Sequence, residues 1–368
     1  MRDRRTTQRR ALLRLTAALA AAAMVLTLAP TTAHAGRGIT FDIWLGSPCV
    51  GGRVNDNAAV KVVWKDDLGV LKARGSRRAN ASGYWTYCGD GSERVEKGDT
   101  IKVVSGGKTK LRTVPNLKLV ADRVDDTVNG LALPNTTVKL TACKRYNFYR
   151  ANCYRRDTTA NESGRFSYDF TPVANLIGRD WVYFTVKVGA DKFTRHADVP
   201  YIWVKRGKSR FSGHFKPFKK FAIQLYRDAS MIDDWTGRAD DWDWGYYTGR
   251  FADEGSDGDT YRVRTGDRIV IPKFGADADW TVPNVRVISV NKASDVIRAS
   301  CGAPNLRYQV YARNEAGTRS GSRLGKTDST GWLKVDMTKK FNIGAGSRIY
   351  VNCELKTGDV VARKHVVS

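Results

Sequence analysis

The sequence predicts an all-β protein in which four small β-sandwich domains follow one another in a rod, after a cleaved export signal. Three observations support this fold class. The chain repeats itself at nearly even spacing, with Val-Pro steps that end at Pro115, Pro200 and Pro283, which indicates a tandem array. Its apolar residues fall in short runs rich in β-branched and aromatic side chains, bounded by Gly, Pro, Asn or Asp, as is typical of strands. No stretch beyond the N-terminal segment shows a helical period.

The composition is that of a folded and strongly basic protein. The 368 residues include 62 Lys and Arg against 37 Asp and Glu, which gives a net charge of +25. Hydrophobic residues make up 42% of the chain, so a disordered polyelectrolyte is excluded. A basic chain of this kind attracts anionic polymers.

Residues 1–35 have the three parts of an export signal. Six arginines and one aspartate lie in Met1–Arg14, an Ala/Leu/Val run covers Leu15–Leu28, and residues 33–35 form an Ala-His-Ala cleavage site. Arg9 and Arg10 favour the twin-arginine route, with an ordinary Sec signal as the alternative. Because the apolar run is shorter than the about 20 residues of a spanning helix, we expect a secreted protein, extracellular or associated with the cell wall, without membrane insertion.

The internal repeat divides the rest of the chain. Its clearest match pairs Thr113–Leu119 with Thr281–Val287, and each of these segments contains one of the Val-Pro steps. Between the steps, a Gly before an alternating strand and a Gly-Asp-x-Ile type of segment recur in the same order. The sequence therefore predicts four domains, at residues 36–115, 116–200, 201–283 and 284–368.

The domains share one order of short segments. It runs Val-Pro, then Gly-x-x-x-Pro-Asn-x-x-Val, then Gly-x-Phe-x-Tyr, then Gly-Asp-x-Ile-x-Val, and Val114–Val186 carries it best. The third domain lacks the Pro-Asn pair and the first lacks the Pro. This pattern resembles tandem bacterial immunoglobulin-like repeats of secreted and surface proteins. The resemblance implies immunoglobulin-like sandwiches that act as spacers, adhesins, stalks or binding modules, and it implies no enzymatic activity.

The chain has six cysteines, an even number that indicates disulfides in an exported protein. Six cysteines allow fifteen pairings, and only the sequential pairing keeps every bridge inside one predicted domain. Each bridge is expected to stabilise its domain by about 2–4 kcal/mol. The expected bridges are Cys49–Cys88, Cys143–Cys153 and Cys301–Cys353.

A cationic and aromatic segment of the second domain is the first candidate ligand site. It lies between Cys143 and Cys153 and continues past them. Arginine binds phosphate or carboxylate through two hydrogen bonds, aromatic faces stack on sugar or base rings, and a closed loop loses less entropy on binding. The alternative is a solvated hairpin whose aromatic residues cover the end of the sheet. The candidate residues are Lys144, Arg145, Tyr146, Phe148, Tyr149, Arg150, Tyr154, Arg155 and Arg156.

An acidic, tryptophan-rich segment of the third domain is the second candidate site. Its candidate ligand-binding residues are Trp235, Trp242 and Trp244. Beyond it, Asp253, Asp257 and Asp259 stand near glycines and could hold calcium, which prefers six to eight oxygen ligands, although their spacing does not follow an EF-hand loop. The alternative is an acidic loop that faces a basic neighbour in this chain or in another copy, which would allow self-association.

Other aromatic residues are predicted to lie in the core. Trp85 falls at a position that is apolar in every repeat, and Trp181 and Tyr183 alternate on a strand that aligns with Ile101 and Ile269. Because alternation marks the buried face of a strand, we expect all three to be buried.

The motifs of common enzyme classes are missing, which predicts a protein that is not an enzyme and needs no cofactor. The sequence has no Gly-x-Ser-x-Gly, His-Glu-x-x-His or phosphate-loop motif, and the three histidines after the signal stand singly. Asp241, Asp243 and Glu254 could in principle serve glycoside hydrolysis, but nothing selects them over other surface acids.

The charge and the candidate sites together predict a secreted binding protein. Its expected ligand is an anionic cell-surface or extracellular polymer, of the teichoic acid or acidic glycan type. The alternative is an adaptor that links other secreted proteins, and a third hypothesis is a glycan-active enzyme. No motif that reads a nucleic-acid sequence is present, so we expect no sequence-specific nucleic acid as a partner.

Overall fold

The structure is a computed structural model that describes residues 38–144, 152–216, 219–240, 245–251, 261–274 and 278–368. Within these ranges the chain forms β-strands, one short 3₁₀ turn and no α-helix, so the all-β fold class is confirmed. No helix in the same ranges is long and apolar enough to cross a membrane. The predicted export signal lies outside the described residues.

The strands fall into four sets of seven, which we call units 1 to 4. Unit 1 contains β1 Thr40–Trp44, β2 Cys49–Arg53, β3 Ala59–Lys65, β4 Leu71–Arg78, β5 Tyr84–Cys88, β6 Thr100–Ser105 and β7 Lys108–Thr113. Unit 2 contains β8 Lys118–Asp122, β9 Thr127–Leu131, β10 Thr137–Cys143, β11 Cys153–Thr159, β12 Arg165–Asp169, β13 Trp181–Val188 and β14 Asp191–Asp198.

The second half of the chain repeats this order of strands. Unit 3 contains β15 Tyr201–Lys205, β16 Arg210–His214, β17 Lys220–Arg227, β18 Ser230–Arg238, β19 Tyr246–Arg250, β20 Arg268–Val270, the 3₁₀ turn Pro272–Phe274 and β21 Asp279–Thr281. Unit 4 contains β22 Arg286–Asn291, β23 Val296–Ser300, β24 Arg307–Arg313, β25 Ser320–Lys326, β26 Trp332–Asp336, β27 Arg348–Glu354 and β28 Val360–Val366. The predicted division into four separate domains stays a prediction.

Each unit has two layers of strands around an apolar core. Its first, second and fifth strands form one layer, and its third, fourth, sixth and seventh strands form the other. In unit 1, Phe41 and Trp85 of the first layer pack in one core with Val62 and Trp64 of the second, and all four are buried. The expected burial of Trp85 is confirmed. Strand β3 alternates strictly between buried and more exposed residues, which is the pattern of a strand with one face on the core.

Two sheets cross the borders between units. The last strand of unit 2, β14, pairs in parallel with the first strand of unit 1, β1, and β28 of unit 4 pairs in the same way with β15 of unit 3. The result is two seven-stranded sheets. Sheet I has the order β11-β10-β13-β14-β1-β2-β5, and sheet II has the order β19-β16-β15-β28-β27-β24-β25.

The units are therefore joined in pairs. Units 1 and 2 share sheet I and one continuous apolar core, and units 3 and 4 share sheet II and a second core. We call these pairs block A and block B. The physical reason is that β1 and β15 would otherwise leave an unpaired strand edge, and the parallel partner satisfies its backbone groups.

A buried aspartate stabilises each parallel pairing. Asp191, at the start of β14, accepts a hydrogen bond from the Phe41 backbone N–H at 2.9 Å and from Lys110 Nζ at 2.6 Å, and Arg112 also donates to it. Asp359, which immediately precedes β28, accepts the Ile202 N–H at 2.9 Å. Both carboxylates are fully buried.

The charge of Asp191 is held in place by its cationic partners. Burial alone would raise the pKa of Asp191, but hydrogen bonds from Lys110 and Arg112 outweigh burial and hold that pKa below its ordinary value. The carboxylate therefore stays ionised while it bridges units 1 and 2.

Asp359 also joins the two blocks. Its carboxylate pairs at 3.1 Å with Arg123 of unit 2, and both side chains are at most 1% exposed. Gly358 comes so close to the backbone of Gly178 that a Cβ atom there would lie 2.0 Å from the Gly178 carbonyl oxygen. Block A and block B therefore meet at a tight contact, where a side chain at position 358 would force the Gly178 backbone to shift.

All three expected disulfides are present. Cys49–Cys88, Cys143–Cys153 and Cys301–Cys353 are bonded, and the described residues include no free cysteine. The first two bridges connect directly opposed residues of neighbouring strands, so they reinforce pairings that the backbone already makes.

We predict that Asp359→Asn lowers the free energy of unfolding by about 3–5 kcal/mol, because it removes the negative charge of a fully buried ion pair with Arg123. Urea denaturation followed by circular dichroism measures the change. Asp279→Asn is the matched control, since its partner Arg268 is exposed and such pairs contribute less than about 1 kcal/mol. Equal effects of the two substitutions would contradict the buried junction.

Candidate functional site

The cationic hairpin of unit 2 is only partly described. Arg145, Tyr146, Phe148, Tyr149 and Arg150 lie outside the described residues. The Cys143–Cys153 bridge closes the hairpin, and the Lys144 backbone N–H donates to the Asn152 carbonyl at 3.1 Å. The disulfide and this hydrogen bond therefore close the base of the hairpin.

Lys144 is held by the fold. Its ammonium group lies 2.6 Å from Asp180, whose side chain is 2% exposed. The same type of contact recurs in unit 1, between Lys72 and Asp99, and in unit 3, between Arg227 and Asp267. We therefore assign Lys144 to a structural ion pair of the repeat and remove it from the ligand-binding set.

The remaining hairpin residues point in different directions. Tyr154 is half-buried and packs against the core of block A. Arg155 is exposed and lies opposite Thr141, on the outer face of sheet I. Arg156 lies opposite the buried Leu140, on the other side of the strand, and donates to the Arg155 carbonyl at 2.7 Å. Of the described hairpin residues, Arg155 is the one best placed to reach a ligand.

Trp235 is half-buried and packs against the core of unit 3. Its ring is 5.0 Å from Phe211, 5.6 Å from Phe221 and 6.1 Å from Tyr247 between centroids. β18 turns this side chain towards the inner layer, and its role as a ligand-binding residue stays a prediction. Trp242, Trp244 and the calcium candidates Asp253, Asp257 and Asp259 lie outside the described residues. In the described ranges no group of three or more His, Cys, Asp or Glu is arranged to hold a metal.

The outer face of sheet II is strongly cationic. On β24 the residues Val310 and Ala312 are buried, so the alternate residues point away from the core. The strand register extends this outer face across the whole sheet, and among its described strand positions Glu354 is the single carboxylate. The eight cations on the face are Arg307, Lys326, Arg313, Arg348, Lys364, Lys205, Arg210 and Arg250.

Like charges stand directly opposite each other on this face. Arg313 is the cross-strand partner of Arg348, and Arg210 is the partner of Arg250. Such pairs destabilise an antiparallel sheet. The guanidinium carbon of Arg313 lies 5.6 Å from the ring centroid of Tyr350. This cation–π contact stabilises the positive charge of Arg313. An anion bound between these arginines would remove the repulsion.

Sequence reasoning missed this surface because its residues come from seven strands of two units. No segment of unit 4 is as rich in cations as the hairpin of unit 2. The available signal is alternation: in β24, Arg307, Gln309, Tyr311 and Arg313 occupy one face and the buried residues the other.

The outer face of sheet I carries a group of three aromatic residues. Trp44 and Trp181 each lie 5.6 Å from Tyr183 between ring centroids, with ring planes tilted by 44°. We call these three residues the aromatic strip. Trp44 is 37% exposed, and Trp181 and Tyr183 are half-buried.

The prediction that Trp181 and Tyr183 lie in the core is wrong. The buried residues of β13 are Val182, Phe184 and Val186. Unit 2 has one additional residue, Arg179, with a φ of 68°, between its glycine and its buried aspartate. A shift of one residue moves every side chain of a strand to the opposite face.

The correct alignment follows from the buried aspartates. Asp180 accepts the backbone N–H of the residue three positions earlier, Ile177, at 3.1 Å, and Asp99 does the same for Glu96 at 2.9 Å. Alignment on the aspartate places Val182, and not Trp181, at the position of Ile101.

His196 is the cross-strand partner of Tyr183 on this face. Burial lowers its pKa to about 4, and the positive charges of Arg195 and His214 add to the effect. The imidazole is therefore neutral at pH 7 in the folded protein.

We predict that acidification from pH 7 to pH 4.5 destabilises the protein through His196. An unfolded histidine binds its proton near pH 6.5 and the folded one only near pH 4, so the unfolded state gains protons first. The expected loss from this residue is about 2 kcal/mol in the free energy of unfolding. Urea denaturation at both pH values measures this loss. The variant His196→Gln should lack the part of the pH dependence that comes from His196. An unchanged pH dependence in the variant would contradict the prediction.

No family model matches the chain, and no curated protein matches it. Among solved structures, a tetra-tandem repeat from the extending region of a large adhesion protein aligns over 90% of this chain and 100% of its own length, at 12% identity and a TM-score of 0.19. The α2-macroglobulin of Escherichia coli aligns over 90% of this chain, at 10% identity and a TM-score of 0.17, and this chain spans 28% of its length. A Group B Streptococcus pullulanase aligns over 47% of this chain and 24% of its own, at 11% identity and a TM-score of 0.18. TM-scores this low mean that the whole molecules do not superimpose.

Proposed function

We propose that this is a secreted, non-enzymatic binding protein that engages an anionic cell-surface or extracellular polymer, of the teichoic acid or acidic glycan type. The observation that carries the proposal is the outer face of sheet II, where eight cations accompany one carboxylate. That carboxylate, Glu354, is already paired with Arg179 at 2.8 Å and Arg307 at 3.1 Å.

The spacing of the cations suits a repeating polyanion. Neighbouring strands lie about 4.8 Å apart, and alternate residues on one strand about 6.6 Å apart. The face therefore presents positive charge in two directions, and several phosphate or carboxylate groups of one chain can be bound at once. Guanidinium groups form two parallel hydrogen bonds to each such anion.

The sheet holds these charges in place before any ligand arrives. All seven strands of sheet II are hydrogen-bonded to their neighbours, and the Cys301–Cys353 bridge lies in the core beneath the face. Little conformational entropy is lost when a rigid surface binds.

A second cationic face supports the same function. The register of β4-β3-β6-β7 in unit 1 places five cations on its outer face and no carboxylate at the described strand positions. These cations are Lys61, Lys65, Arg74, Arg78 and Lys102. Three disulfides support an oxidising, extracytoplasmic setting.

We predict that Arg313→Gln combined with Arg348→Gln weakens polymer binding and makes the protein more stable. Binding of purified glycerol teichoic acid and polygalacturonate is measured by calorimetry between about 50 and 200 mM salt, and the slope of log affinity against log salt should fall by about two. The melting temperature should rise, because the substitutions remove a repulsive pair worth about 0.2–1 kcal/mol.

The matched control is Lys118→Gln with Arg165→Gln, which removes the same charge from strands β8 and β12 of another sheet. Equal losses in both double variants would mean that net charge alone is responsible and would overturn the assignment to sheet II. Binding that does not depend on salt, or a secreted protein partner retained at high salt in place of the polymer, would favour the adaptor hypothesis.

A further inference from the structure

The aromatic strip of sheet I is not required by the fold. Trp44 ends β1 opposite Thr194, and Lys205 ends β15 opposite Ala362, so Lys205 is the block B equivalent of Trp44. Trp181 is the first residue of β13, as Arg348 is the first residue of β27. Block B therefore builds the same sheet with two cations where block A has two tryptophans.

Tryptophan and tyrosine are unusual on the outer face of an antiparallel sheet. Along each strand, outward polar residues normally alternate with the apolar residues of the core. The strip lies above small side chains. Thr194, opposite Trp44, is 2% exposed, and its hydroxyl bonds that of Thr185 at 2.9 Å. The rings thus form a nearly continuous apolar surface on a rigid floor.

Charged residues of both signs surround the strip. Lys139 lies opposite Asp157, and Lys192 lies between Asp42 and Lys187. Asp198 lies opposite Trp181. Arg155 lies opposite Thr141 instead, is exposed, and forms no ion pair with any described carboxylate. Thr141 also lies opposite Tyr183, so Arg155 is an outward cation two strands away from the aromatic strip.

We propose that the aromatic strip stacks on the pyranose rings of an acidic glycan whose carboxylate is bound by Arg155. A pyranose ring has an apolar face of C–H groups that fits an aromatic ring, and a carboxylate accepts two hydrogen bonds from a guanidinium. The 44° tilt between successive rings lets them contact consecutive sugars of a twisted chain. This inference rests on the proposed function and narrows its ligand to a polymer that contains sugar rings.

The test compares a polyanion with and without sugar rings. Wild-type protein is titrated with polygalacturonate, with long-chain polyphosphate and with neutral chitohexaose. We expect polygalacturonate to bind at least tenfold more tightly than polyphosphate at equal charge. In the variant Trp44→Lys with Trp181→Arg this preference should disappear, while the affinity for polyphosphate stays equal or rises because two cations are added.

The substitutions copy the residues of block B, so the sheet should form, and an unchanged melting temperature checks this. Trp44→Phe is the second variant, and it should keep the preference because it keeps an aromatic face.

Three outcomes overturn or support the inference. An equal affinity of the wild type for both polyanions, or a preference that survives in the double variant, overturns it and leaves the proposed function standing. If neither polyanion shows salt-dependent binding, the proposed function fails, and the titration with chitohexaose then tests the inference. Chitohexaose binding that is lost in the double variant supports the strip as a sugar site. No binding of chitohexaose overturns the inference.

Discussion

The parallel pairing of β14 with β1, and of β28 with β15, is the constraint on which the rest of the structure depends. It joins the four-stranded layer of one unit to the three-stranded layer of the preceding unit, so the two share a sheet and a core. Asp191 and Asp359 bind the backbone of the strand on the far side of each junction. Without these pairings, β1 and β15 would be exposed sheet edges.

One consequence is that both candidate surfaces belong to blocks and not to single units. The cations of sheet II come from β15, β16 and β19 of unit 3 and from four strands of unit 4. The aromatic strip takes Trp44 from unit 1 and Trp181 and Tyr183 from unit 2. Both outer faces carry aromatic residues, among them Tyr311 and Tyr350 on sheet II. The two blocks differ in that block A has Trp44 and Trp181 where block B has two cations.

Much of this fold could be predicted from the sequence. Strand positions, the all-β class and the three disulfides follow from composition, turn residues and the repeat, because these are local properties. The clearest internal match, between the segments around Pro115 and Pro283, skips the Val-Pro step at Pro200 and so covers two units. That spacing already indicates a two-unit block, but the pairing between strands depends on contacts that no local pattern contains.

The errors at the sites have specific physical causes. The extra residue Arg179 reverses the faces of β13, so Trp181 and Tyr183 point outward and not into the core. Lys144 looks like part of a basic loop, but its partner Asp180 is 36 residues away. Trp235 is close in sequence to acidic residues, yet β18 turns it towards the aromatic core, where it is half-buried.

Native-state hydrogen exchange tests the central claim most directly, because it measures the opening of single backbone amides. The amides of Phe41 and Ile43 in β1 should open with the same free energy as that of Val62 in the core of unit 1, since β1 separates from β14 only when block A unfolds. Opening of β1 in a separate event of lower free energy, with β3 and β13 still protected, would contradict the account.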